Sequence, residues 1–124
     1  MEQELRRVYY DPELGVEACL FQGIDQGFPE HFHTYYVIGT MDRGSREVTI
    51  AGETLRLAPG ELVFFQPGEP HACRPVGEER LDWRGLHVPQ EVMERAAEAV
   101  TGRQFAPHFT PCLLYTSDAA DDLL

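Results

Sequence analysis

The 124 residues contain no lysine, and their ten basic residues, all arginine, face 21 acidic ones, so the chain carries −11 at neutral pH. That balance excludes the broad positive surface needed to neutralise DNA phosphates or to sit on an anionic lipid leaflet. The missing lysine is compositional bias and implies no chemistry. No apolar run approaches the ~18 residues of a membrane helix, and the opening MEQELRRVYYDPELG lacks a signal-peptide core. The expectation is a cytoplasmic protein with no membrane partner. Cysteine is scarce and odd in number: Cys19, Cys73 and Cys112 show neither paired metal spacing nor a disulfide framework. Cys19 reads as a small buried hydrophobe. Cys73, two residues after His71, reads as core filler or as a soft ligand on the same strand face.

At this length the chain buries one modest core, so it forms a single domain. Between Val8 and Val88 it alternates short strand-like runs with turn residues, the spacing of an all-β barrel or sandwich. VEACLFQG forms one strand, closed by Gly23, and HFHTYYVIGTM another. Arg46 to Ile50, Thr54 to Leu57, Leu62 to Phe65 and His71 to Cys73 are separated by AGE, APGE and QPGEP, where Gly reaches positive φ and Pro pre-sets φ for reversal. RLDWRGLHV supplies a last strand, with Leu81, Trp83, Gly85 and His87 on one face. After Pro89 the period changes. Val92, Met93, Ala96, Ala97 and Val100 share a helical face over residues 90–101, which ends at Gly102 and packs on the outside or end of the barrel.

The last residues break in style. Cys112 to Asp122 reads as one frame of a sequencing adapter, which divides the chain into a domain over 1–111 and a non-native tail over 112–124. The domain itself then holds 18 acids against 10 bases. The N-terminal MEQELRRVYYDP reads as a frayed end, tied down only from Val8 onward.

Chemistry concentrates on histidine. Alternation along one strand puts His31 and His33 on one face, roughly 6.5–7 Å apart. His71, directly after QPGEP, can supply a third imidazole from another strand. Three neutral nitrogen ligands with an open position suit zinc or non-haem iron. The same side chains serve equally as polar groups of a ligand pocket, or as structural histidines bonded to backbone. Tyr36, Trp83 and Phe28 are candidate cavity walls, and His87 joins them on the Trp83 face without a partner that spacing predicts. Strict alternation turns Tyr36 away from the histidines, so a bend is needed to bring it inward. Tyr35, Phe64 and Phe65 read as core packing, and His108 has no assigned role.

GFPEHFHTYYVIGTMDRG followed by PGELVFFQPGEPHAC resembles the two signature motifs of the cupin superfamily. More narrowly, HxHxxYxIG with PGELVFFQPGEPH is similar to the N-terminal ligand-binding domain of AraC-family transcription regulators, over roughly Val8 to Pro111. The resemblance implies a mainly β fold, a cupin-like double-stranded β-helix (jelly-roll barrel) with one C-terminal α-helix. It implies a non-enzymatic sensor that binds a small-molecule effector through His31, His33, Tyr36, His71, Trp83 and His87, and needs no cofactor. DNA contact would belong to a C-terminal helix-turn-helix region not included here, with a homodimer in the full-length protein and an N-terminal segment that acts as a movable arm in some members.

Two departures bear on chemistry: Val37 and Ile38 stand where metal-binding cupins carry a glutamate, and Pro75 where they favour asparagine. The alternative is a small metal-dependent cupin enzyme, an oxygenase or isomerase, with His31, His33 and His71 holding zinc, iron or manganese. A third reading is a binding-only cupin without a DNA partner.

Overall fold

A computed structural model describes residues 3–108 of the chain; the adapter-like tail lies outside the described residues. Nine strands precede one helix: β1 (Leu5–Asp11), β2 (Val16–Ile24), β3 (Phe28–His31), β4 (Tyr36–Arg43), β5 (Arg46–Ile50), β6 (Glu53–Leu57), β7 (Leu62–Phe65), β8 (His71–Pro75), β9 (Leu81–Val88) and α1 (Gln90–Thr101). They form a five-stranded sheet in the order β1-β2-β9-β4-β7 and a four-stranded sheet in the order β3-β8-β5-β6. Every pairing between these strands is antiparallel. The expected mainly β jelly roll with one helix is the fold found. No helix among the described residues is long and apolar enough to cross a membrane.

Alternation explains which side chains meet between the sheets. Arg46, Val48 and Ile50 are buried on β5 while the residues between them are not, and β4, β8 and β9 alternate in the same way. Ile24, Val37, Met41, Val48, Ile50, Leu57, Val63, Phe65 and Leu81 form the shared core of both sheets.

The expected turns close the strands. Ala51 and Gly52 both have positive φ, 52° and 79°, which matches the twist of a tight hairpin between β5 and β6. APGE and QPGE use one device twice. The Glu61 carboxylate accepts from the Ala58 backbone N–H at 2.9 Å, and the Glu69 carboxylate from that of Gln66 at 3.3 Å. Each carboxylate thereby pairs a turn donor that the sheet leaves free.

Three expectations need correction. Leu5–Asp11 is a full edge strand in register with β2, not a frayed end; only Leu5 is even half-buried, so no apolar pattern marked it. HFHTYYVIGTM is not one strand, because the chain leaves the four-stranded sheet at His31 and enters the five-stranded sheet at Tyr36. The helix has the expected bounds and ends on Gly102 in the left-handed conformation, yet it buries no residue, and Val100 is 86% exposed. Val92, Met93 and Ala97 are half-buried, and Gln90 Nε2 donates to the Thr34 carbonyl at 2.8 Å, which holds the start of the helix against the crossover.

Candidate functional site

The crossover between the sheets assembles the histidines. His31 ends β3 directly opposite His71 of β8. The next residues turn toward the other sheet, and the Gly68 N–H of QPGEP donates to the His33 carbonyl at 2.7 Å, tying the crossover to the β7–β8 turn. His31 and His33 therefore do not converge by alternation on one strand. A strand end and a tethered bend bring their ring centroids to 4.9 Å, with His71 4.4 Å from His31 and 5.2 Å from His33.

His71 is 2% exposed and stacks on Phe65 at 3.8 Å. Its Nδ1–H donates to the Glu69 carbonyl at 3.0 Å, and the Nδ1–H of His31 donates to the Pro29 carbonyl at 2.7 Å. A carbonyl only accepts, so both rings carry a proton on Nδ1 and turn Nε2 to other partners. Burial, with lesser contributions from His71, His31 and His87, lowers the His33 pKa to about 4. Burial also lowers that of His71, partly offset by its bond to the Glu69 carbonyl. His33 and His71 are thus held neutral at pH 7 and offer ring lone pairs to the cavity.

One donor atom from each of the three histidines lies within 4.8 Å of the others. About a tetrahedral ion, nitrogen ligands stand roughly 3.3 Å apart, so the three rings must draw closer together to share one ion. The donor chemistry fits a divalent metal: three imidazoles, two of them oriented by backbone carbonyls. Cys73 lies outside this group among the described residues; it is buried two positions deeper on β8, and burial pushes its thiol pKa up.

The cluster opens into a cavity of about 330 Å³ between the sheets. Phe21, Phe28, Phe65 and Trp83 supply apolar walls, and Arg46 and His87 supply polar groups. His87 Nδ1–H donates to the Glu17 carboxylate at 2.9 Å, and its ring lies 4.7 Å from that of Tyr35. Five of the six candidate binding residues, His31, His33, His71, Trp83 and His87, line this cavity.

Tyr36 does not. It is buried, but its hydroxyl donates to the Pro107 carbonyl, binding the exit segment to β4, and Tyr35 takes its place on the cavity wall. The bend that joins the sheets exchanges the two tyrosines. Phe65, read as core alone, also faces the cavity.

Two functional features escaped the sequence reading. Gly39 makes room for Trp83: a Cβ at Gly39 would stand 1.9 Å from the indole Cη2. Arg46 is 5% exposed between the sheets, 5.3 Å above the Phe28 ring and 5.0 Å above the Trp83 ring. Its inward direction was available from the Arg46, Val48, Ile50 alternation.

Residues 14–123 match the AraC-like ligand binding domain family. An uncharacterized HTH-type transcriptional regulator of Bacillus subtilis, YbfI, is 36% identical over 123 residues, 99% of this chain and 45% of that protein. The chain thus spans under half of this relative's length. Among solved structures, the cupin domain of Schizosaccharomyces pombe Cnp3 superposes with a TM-score of 0.63 at 14% identity, covering 78% of this chain and 72% of that one. A cupin superfamily protein of Desulfitobacterium hafniense gives 0.59 at 16% identity, covering 71% and 79%. These two likenesses establish the cupin fold and nothing further.

Proposed function

The chain belongs to the AraC-like ligand binding domain family, and from that premise we propose that it is the effector-sensing part of a transcription regulator, taking a small molecule into the cavity between its sheets. The observation that carries this reading is the cavity itself: about 330 Å³ of space with aromatic walls and a few polar groups, the usual make-up of a small-ligand site. Net charge −11 argues against direct DNA contact by these residues, so DNA binding falls to a further portion of the regulator. An effector controls that portion only by binding one of two conformations more tightly than the other.

Thermal denaturation of the 124-residue chain against sugars, carboxylates and amines tests the reading. A ligand should raise Tm saturably in the parent and not in Trp83→Leu, which removes a cavity wall. Equal shifts in both proteins would place binding elsewhere and refute the proposal.

The histidine trio favours a second reading, a metal-dependent cupin. His31 and His71 would hold zinc, iron or manganese through Nε2 and His33 through a ring nitrogen, and the ion would supply Lewis-acid activation of a bound substrate. In that case the Pro29 and Glu69 carbonyls keep His31 and His71 in their ligating orientation. Against catalysis stand Val37 and Ile38, which leave the trio without a carboxylate base. Stoichiometric metal in the purified chain, lost in both His31→Ala and His71→Ala, supports the metal centre; no metal above background rejects it.

A further inference from the structure

The guanidinium of Arg46 is the most deeply buried charge among the described residues, and it makes no hydrogen bond or ion pair with any of them. Its Nε is sealed from solvent without a partner. An unpaired charge is the costliest group to hold inside a protein, and Phe28 and Trp83, which lie under it, return only part of that cost. Five other arginines spend side-chain donors on protein partners, although the Nε of Arg43 is also buried without one. Arg43 pairs with Asp82, Arg74 with Glu47, Arg80 with Asp25 and Arg84 with Asp42. Arg6, at the cavity rim, bonds Glu4 and Gln26.

No aspartate or glutamate lines the cavity, although the chain has 21 of them. No acid among the cavity lining thus neutralises the buried Arg46. We propose that Arg46 is the anion-binding group of the inter-sheet cavity and that its ligand is a small organic monocarboxylate with an apolar or aromatic body. The inference rests on the proposed small-molecule reading and adds the chemical class.

Geometry favours this class over other anions. The guanidinium carbon lies over both the Phe28 and the Trp83 ring, and a planar carboxylate matches the guanidinium's N–H fork with two parallel bonds. Among the described residues that line the cavity, Arg46 is the one unpaired cation and balances one negative charge; a phosphate dianion would bury a second charge with no partner. The rest of the ligand has an apolar path to follow. Arg46 stands opposite Pro75 and Ile50 opposite His71, so the arginine and the histidine cluster are four residues, about 13 Å, apart along β5. Phe21, Val37 and Phe65 wall the space around them.

Trp83 is the chain's single tryptophan and touches Arg46, so its emission reports this end of the cavity. The 124-residue chain is titrated with benzoate, phenylacetate and hexanoate, with their neutral amides, and with phenyl phosphate. At least one carboxylate should change the emission saturably, and its amide and phenyl phosphate should bind roughly tenfold more weakly or worse. Arg46→Met should lose carboxylate binding while its Tm stays level or rises, because an unpaired buried charge has gone. Arg46→Lys keeps the charge without the fork and should bind with intermediate affinity.

Equal binding of acid and amide, or undiminished binding to Arg46→Met or Arg46→Lys, would overturn the inference and leave the cavity reading intact. Tighter binding of phenyl phosphate would overturn the carboxylate assignment, and saturation by none of the carboxylates would overturn the proposal altogether. The cavity reading would then stand or fall on the separate Trp83→Leu thermal comparison.

Discussion

The two faces of the five-stranded sheet are built from alternate residues of the same strands. Phe21, Val37 and Trp83 point between the sheets, whereas Leu20, Ile38 and Leu86 line an open groove outside. The outer groove is the larger concavity, about 490 Å³ against about 330 Å³. Its one charged residue, Arg84, is already paired with Asp42, and the Thr40 hydroxyl already donates to the Glu61 carbonyl. Inside, Arg46 and the Nε2 atoms of His31 and His71 have bonding capacity left over. Unspent polar valence, not volume, marks the face that has chemistry to do.

The sharpest way to break this contrast is at Gly39, where the two faces are separated by backbone alone. In Gly39→Val the new side chain meets the Trp83 indole, since even a Cβ would lie 1.9 Å from it. A loss of about 3 kcal/mol is expected, with a red-shifted Trp83 emission, in urea denaturation followed by fluorescence. Second, His71→Ala removes a ring stacked on Phe65 and strands the Glu69 carbonyl. It should cost about 2 kcal/mol by the same measurement.

On the outer face the expectation reverses. Leu86 is 42% exposed, and Leu86→Ala should cost less than about 1 kcal/mol and leave cavity binding unchanged. A large loss there would mean that the groove is a packed surface after all.

The smallest effect is one of pH. Burial raises the thiol pKa of Cys19 and Cys73 in the fold, so above an ordinary thiol pKa of about 8.5 the unfolded chain has released protons that the folded chain retains. Stability should therefore fall as pH rises through and beyond that value, and Cys19→Ala with Cys73→Ala should flatten the decline in Tm measured between pH 8 and pH 10.

Much of this arrangement was legible from punctuation. Arg46–Ile50 and Leu62–Phe65 have the expected bounds because AGE, APGE and QPGEP allow little else. The helix followed from its change of period. What alternation could not show was a change of sheet without Gly or Pro: at Phe32 to Tyr35 the chain bends on a tether from Gly68, so Tyr35 faces the cavity and Tyr36 does not. The edge strand at Leu5–Asp11 hid for a related reason, since it is held by backbone pairing to β2 and buries almost nothing. Arg46 was overlooked because a charged residue at the start of a strand reads as solvated, although its phase with Val48 and Ile50 pointed inward.

Backbone amide shifts on adding a compound that raises Tm test the account most directly. The inner face should respond, with the largest changes at Phe28, Arg46, Cys73 and Trp83, while Leu20, Ile38 and Leu62 on the outer groove stay close to their free positions. Shifts concentrated on the outer groove, with Arg46 and Trp83 unmoved, would contradict the assignment of the ligand site to the space between the sheets.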